Sequence, residues 1–198
     1  MPACPEATAP GPGSTVRRRG GRGHTGAVPG FRRSASVPAD VRRRLRLTTG
    51  ERVLAGAVDG DGRWHVGTDR ALHLADGERW CRVPWERVDR AGFDDETERL
   101  RVVEVADLGQ PEPTHVLALV EPRRLLDLVR ERVTASVLLT RNVPVGGSRG
   151  VKVVARRAPT GGPVEWSFWL DPGLDPADPR VRAAIDAGRA VAEAELGG

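Results

Sequence analysis

His115-Val116-Leu117-Ala118-Leu119-Val120-Glu121-Pro122-Arg123-Arg124-Leu125-Leu126-Asp127-Leu128-Val129-Arg130-Glu131-Arg132-Val133 is the stretch where the chain changes its period. Up to Val120 it reads as one more short, apolar strand. From Pro122 the apolar residues Leu125, Leu126, Val129, Val133 and Val137 recur at three and four, with Arg123, Arg124, Asp127, Arg130 and Glu131 on the polar arc. Proline is tolerated in a first helical turn, so Glu121-Pro122 opens a helix. Its end is less sharply written. Val137-Leu138-Leu139-Thr140 is rich in branched residues, and the pattern favours helix to about residue 138.

N-terminal to this switch, the chain is a series of short strands. Val53–Val58 and Trp64–Thr68 flank the turn Asp59-Gly60-Asp61-Gly62. Ala71–Leu74 ends at Asp76-Gly77, and Arg79–Val83 follows. Trp85–Val88 and Arg90–Asp94 precede the acidic turn Asp94-Asp95-Glu96-Thr97, and Leu100–Val105 comes next. Strands at roughly ten-residue spacing suggest a barrel or sandwich. The leucine-faced helix is expected to close it.

C-terminal to the switch, Val151–Arg156 and Val164–Leu170 flank Pro159-Thr160-Gly161-Gly162-Pro163 and read as a hairpin. Asp178-Pro179 caps a last helix with Val181, Ile185, Gly188, Ala192 and Leu196 at helical spacing. A hairpin and one helix are too small to fold alone, so residues 141–198 should pack on the domain of residues 41–140.

The order of small antiparallel strands followed by one amphipathic helix resembles the pleckstrin-homology-like (PH-like) domains. Thr68-Asp69-Arg70-Ala71-Leu72-His73-Leu74 looks like the T-x-x-x-L-x-L strand pair of bacterial PH-like and GRAM-like domains. Val83-Pro84-Trp85-Glu86-Arg87-Val88-Asp89-Arg90-Ala91 looks like their turn between strands. The resemblance covers about residues 45–140, and the whole chain is similar to actinobacterial proteins with such a domain. It implies an α+β fold: a PH-like antiparallel β-barrel closed by an amphipathic helix, here extended by a C-terminal hairpin and helix. It supplies no activity, since fold alone does not carry function.

Residues 1–40 are rich in Arg, Gly and Pro and hold few apolar residues, so they read as a disordered tail. A mis-assigned start is an alternative, with Val37 and Val41 as internal candidates. Residues 1–44 carry +7, which leaves −3 for residues 45–198 out of a net +4. The folded part is therefore not a basic nucleic-acid surface. Arg17, Arg18, Arg19 and Arg22 form an RGG-like patch that would bind nucleic acid or anionic lipid without specificity. Lys152 is the only lysine among 31 basic residues, a bias that fits a GC-rich genome and weakens any phosphate-binding reading of the arginines. Gly21-Arg22-Gly23-His24-Thr25-Gly26 matches GxGxxG but lacks the strand and helix that a dinucleotide loop requires.

Other chemistry is thin. Cys4 and Cys81 sit in a tail and a strand, which argues against a structural disulfide and for a reducing, cytoplasmic setting. His65, His73 and His115 lie on strands without a carboxylate or cysteine at metal spacing, so they read as packed or surface histidines. Asp94, Asp95, Glu96 and Glu98 lack the alternate-ligand pattern of a calcium loop. The aspartates of Asp59-Gly60-Asp61-Gly62-Arg63 repel the phosphate that a basic first hairpin would bind. The longest apolar runs, such as Val116–Val120, are far too short to span a membrane. No catalytic residue, cofactor site or metal site is read. The expectation is a non-catalytic module that binds a protein or peptide. Trp169, on the strand face opposite Trp166, is the candidate contact unless the last helix covers it.

Overall fold

The structure is a computed structural model and describes residues 36–197. Its elements run α1 (Ala39–Arg44), β1 (Val53–Asp59), β2 (Trp64–Thr68), β3 (Ala71–Asp76), β4 (Arg79–Pro84), a 3-10 turn (Trp85–Arg87), β5 (Val88–Asp94), β6 (Arg99–Glu104) and β7 (Thr114–Val120). They continue with α2 (Arg123–Ser136), β8 (Val137–Gly146), β9 (Arg149–Arg156), β10 (Glu165–Leu170) and α3 (Pro179–Gly197).

β1 to β7 form one antiparallel sheet in the order β4-β3-β2-β1-β7-β6-β5. The sheet bends round a core of Leu72, Leu74, Val83, Val88, Leu100, Val102 and Leu119. The antiparallel strands and the covering helix of the expected α+β fold are present, and closure of the sheet into a barrel is not seen among the described residues. β4 and β5 are the two ends of this order, and no ladder joins them among the described residues. The chain between them explains the gap. Pro84 has no N–H to donate, and the 3-10 turn that follows drops the Trp85 ring into the core instead of carrying the ladder on.

α2 covers the core with Leu125, Leu128 and Val129, as the helical stripe expects. Close seating depends on Gly67 of β2. A Cβ built there would lie 2.5 Å from Leu128 and 3.3 Å from Leu125, so any side chain would lift the helix.

The opposite face of β1–β4 is also covered, which the sequence did not suggest. Val37, Val41 and Leu45, in and around α1, are buried on Val66, with Trp64 and Trp80 alongside. Gly56 makes room for Val37, whose Cγ2 would be 2.6 Å from a Cβ at that position. The folded unit thus begins before residue 41. Residues 37–40, assigned to the tail by composition, belong to the fold.

The expected C-terminal hairpin is present as β9–β10, and β8 extends it to a three-stranded sheet in the order β10-β9-β8. The helix stops at Ser136, and Val137 is already strand, two residues before the expected end. Pairing with β9 captures this segment: Arg157 N–H donates to the Ser136 carbonyl, and Leu139 pairs with Ala155. β8 therefore begins at Val137. α3 lies on one face of this sheet through Val181, Ile185 and Gly188, and Gly188 leaves room for Val143 and Val153. The Asp178 carboxylate accepts the Arg180 N–H at 2.8 Å, the N-terminal cap expected from Asp178-Pro179.

Arg156 joins the two units. It is 4% exposed, and one terminal nitrogen donates to the Asp89 carbonyl at 2.9 Å and to the Asp89 carboxylate at 3.1 Å. The other terminal nitrogen donates to Ser136 Oγ at 3.2 Å. Burial pushes the guanidinium downward from its ordinary value, and the Asp89 charge opposes that shift. Arginine remains charged in either case.

Candidate functional site

The three described histidines are each spent on a carboxylate. His73 Nε2 lies 3.1 Å from Glu51, whose side chain also accepts from Thr68 Oγ1 at 2.6 Å and from Thr48. His65 Nε2 lies 3.3 Å from Asp59, and His65 Nδ1 accepts the Ala75 N–H. These partners make His65 a neutral ring with its proton on Nε2. His115 Nε2 lies 2.7 Å from Glu104.

The electrostatics follow from burial and these bonds. Burial pushes His65 and His73 below the ordinary imidazole value of 6.5, against the pull of their carboxylates. Burial would raise Glu51, but hydrogen bonds from Thr68, Thr48 and His73 outweigh it and hold the group at about 2, against an ordinary 4.5. Asp59 is likewise held low, by the Arg63 and Asp61 N–H groups, the His65 ring and the Arg63 side chain, against its burial.

A depressed group stabilises the fold fully above its unfolded value, and the effect is lost as pH falls toward the folded value. The melting temperature should be level above pH 7. It should decline as pH falls through 6.5, where the unfolded histidines take up protons, and again between 4.5 and about 2 as Glu51 protonates. Calorimetric melts from pH 8 to 2 check this. An unchanged melting temperature between pH 7 and 5 would remove the histidine part.

Sequence spacing missed one convergence. Cys81 of β4, Glu104 of β6 and His115 of β7 bring their ligand atoms within 4.8 Å of one another. The residues lie far apart in the chain and meet only because the bent sheet faces β4 toward β6 and β7. Cys81 is already engaged in an interaction of its own, so the three groups are not assigned as a metal site. Cys4 and the arginines Arg17, Arg18, Arg19 and Arg22 lie outside the described residues.

Trp169 does face away from the last helix. Trp166, Phe168 and Leu170 pack under α3, and Trp169 points to the other side of β10. There the cations Arg90 and Lys152 each stand 5.4 Å from its ring centre. The ring is half-buried, covered from the β5 side rather than by the helix.

Beyond Arg90 lies a feature that sequence reading did not find, on the outer face of β5–β7. Leu100 and Val102 point into the core, so their neighbours Arg99, Arg101 and Val103 point out. Register places Gly92, Arg101 and Val116 in one row across the three strands. The rows beside it are Arg90–Val103–Thr114 and Asp94–Arg99–Ala118. Arg90, Gly92, Asp94, Arg99, Arg101, Val103 and Val116 of these rows line a depression of about 460 Å³. Its floor is small and apolar, with Val116 45% exposed, and its rim is basic. β5 ends the sheet, so one of its edges is not paired within it.

A scan of protein-family models, a search of curated proteins and a search of solved structures each found no match to this chain. No helix among the described residues is long and apolar enough to cross a membrane.

Proposed function

We propose that the chain is a non-catalytic interaction module of PH-like type that takes up a protein or peptide segment on the β5–β7 face. The strand order followed by α2 supports the PH-like reading. The observation that carries the functional reading is the open edge of β5 beside a depression with an apolar floor. Exposed sheet edges accept added strands through main-chain hydrogen bonds, and an adjoining surface supplies selectivity. Trp169 borders this face through Arg90, which makes it part of the rim rather than a separate contact. The cationic segment around Arg17, Arg18, Arg19 and Arg22 carries the second reading, binding of nucleic acid or anionic lipid.

A photocross-linking side chain at Thr97, on the border of the depression, tests the reading against the same group at Gly60 in the β1–β2 turn. In cells that make the protein, Thr97 should yield a discrete cross-linked protein and Gly60 should not. The adduct should survive high salt and removal of residues 1–35. The deletion must stop there, because Val37 is part of the fold. Adducts that vanish with the tail and with salt would support the second reading instead.

A further inference from the structure

Gly92 stands in the middle of β5, where glycine weakens a strand because it adds backbone freedom and no packing. Three structural reasons for such a glycine can be checked. Its φ is not positive, so the backbone conformation does not require it. A Cβ at Gly92 would meet nothing within 4 Å, unlike one at Gly67 or Gly188, where helices press close. The β5–β6 register shift lies between Val88 and Arg90, so Gly92 is not in the bulge. A remaining role for glycine within a strand is close approach by another chain or ligand.

The gap opens onto a cation. Gly92 pairs directly with Arg101, so a chain lying along the β5 edge meets the Arg101 guanidinium with no side chain between. Arg99 and Arg101 have no ion-pair partner among the described residues, whereas Arg90 is held by Asp89 and Glu112. Asp94, opposite Arg99, uses its carboxylate on the Glu96 and Thr97 N–H groups of its own turn.

Resting on the reading above, we infer that the segment bound at this face is an extended acidic peptide. It adds as a strand to β5 and lays a carboxylate through the Gly92 gap onto Arg101, with Arg99 as the neighbouring contact. The surplus positive charge selects acidic over basic chains, and the missing side chain provides the access.

The test uses the full chain and three labelled six-residue peptides that alternate valine with glutamate, threonine or lysine. The glutamate peptide should bind saturably, at least tenfold more tightly than the threonine peptide, and the lysine peptide should not bind. Gly92→Val and Arg101→Gln should each weaken the glutamate peptide at least tenfold. Gly92→Val should leave the melting temperature equal or higher, because valine suits a strand better than glycine. Equal binding of all three peptides, still blocked by Gly92→Val, would keep the β5 docking site and overturn its acidic selectivity. Binding of phosphatidylserine vesicles but no peptide, lost on Arg101→Gln, would overturn the peptide and assign a lipid headgroup. Glutamate-peptide binding indifferent to Gly92→Val would overturn the proposed route.

Discussion

Trp85→Ala should lower the melting temperature by on the order of 15 °C, the largest effect expected of any single change in this chain. Trp85 is wholly buried at the turn between β4 and β5 and packs in the core that α2 covers. Truncating a buried tryptophan costs on the order of 3–5 kcal/mol through lost burial and the cavity left behind. Its indole N–H also donates to the Thr68 carbonyl at 2.9 Å. Leaving that buried acceptor without its partner adds about 1 kcal/mol or more. The sum is a large fraction of the roughly 5–15 kcal/mol that holds a domain folded. Trp85→Phe should recover most of the packing and leave the hydrogen-bond part as the residual loss. A Trp85→Ala protein melting within two or three degrees of the parent would mean that the two halves of the sheet are held together elsewhere.

Arg156→Met should be the second largest, with a loss of about 3–5 kcal/mol, because it leaves a buried carboxylate facing a methionine. Asp89 is 10% exposed at its side chain and keeps only Arg90 as a charge partner once Arg156 is gone. The loss should be local first. Amides of β9 and β10 should exchange faster, while those of β2 and β3 change little, because Arg156 joins β9 to β5 and to the end of α2. The double variant Arg156→Met with Asp89→Leu should regain much of the lost stability, since an apolar pair of similar volume avoids the desolvation of two charges. Uniform exchange across both sheets would refute the idea that this contact is the joint between them.

This joint also bears on the proposed binding face. Arg90 follows Asp89 on β5 and stands over Trp169, so the position of the C-terminal sheet sets one wall of the depression beside Gly92. Loosening Arg156 should therefore weaken peptide binding without touching the β5 edge at Gly92.

Several elements were legible without coordinates because they depend on near neighbours in the chain. The alternation in Trp64–Thr68 and Arg79–Val83, the Asp59–Gly62 turn, the Leu125–Val129 stripe and the Asp178 cap all appear where the residue pattern puts them. Periods of two and of 3.6 are local properties, and so are turns and caps. The face opposite Trp166 was likewise readable at Trp169.

What the tertiary structure decided are the matters that need distant partners. Val137–Thr140 reads locally as the end of the helix or the start of a strand, with helix favoured to about residue 138, and β9 makes it strand by offering its edge. Cys81, Glu104 and His115 lie on three strands and converge only through the bend of the sheet. Val37 looked like tail because its apolar partners, Val66 and Trp64, lie more than twenty residues away. The row Gly92–Arg101–Val116 follows from two strand registers, which local periodicity cannot supply. Local spacing determines which residues share a face of one element. Only hydrogen bonding and packing between elements determine which faces meet and which stay open to a partner.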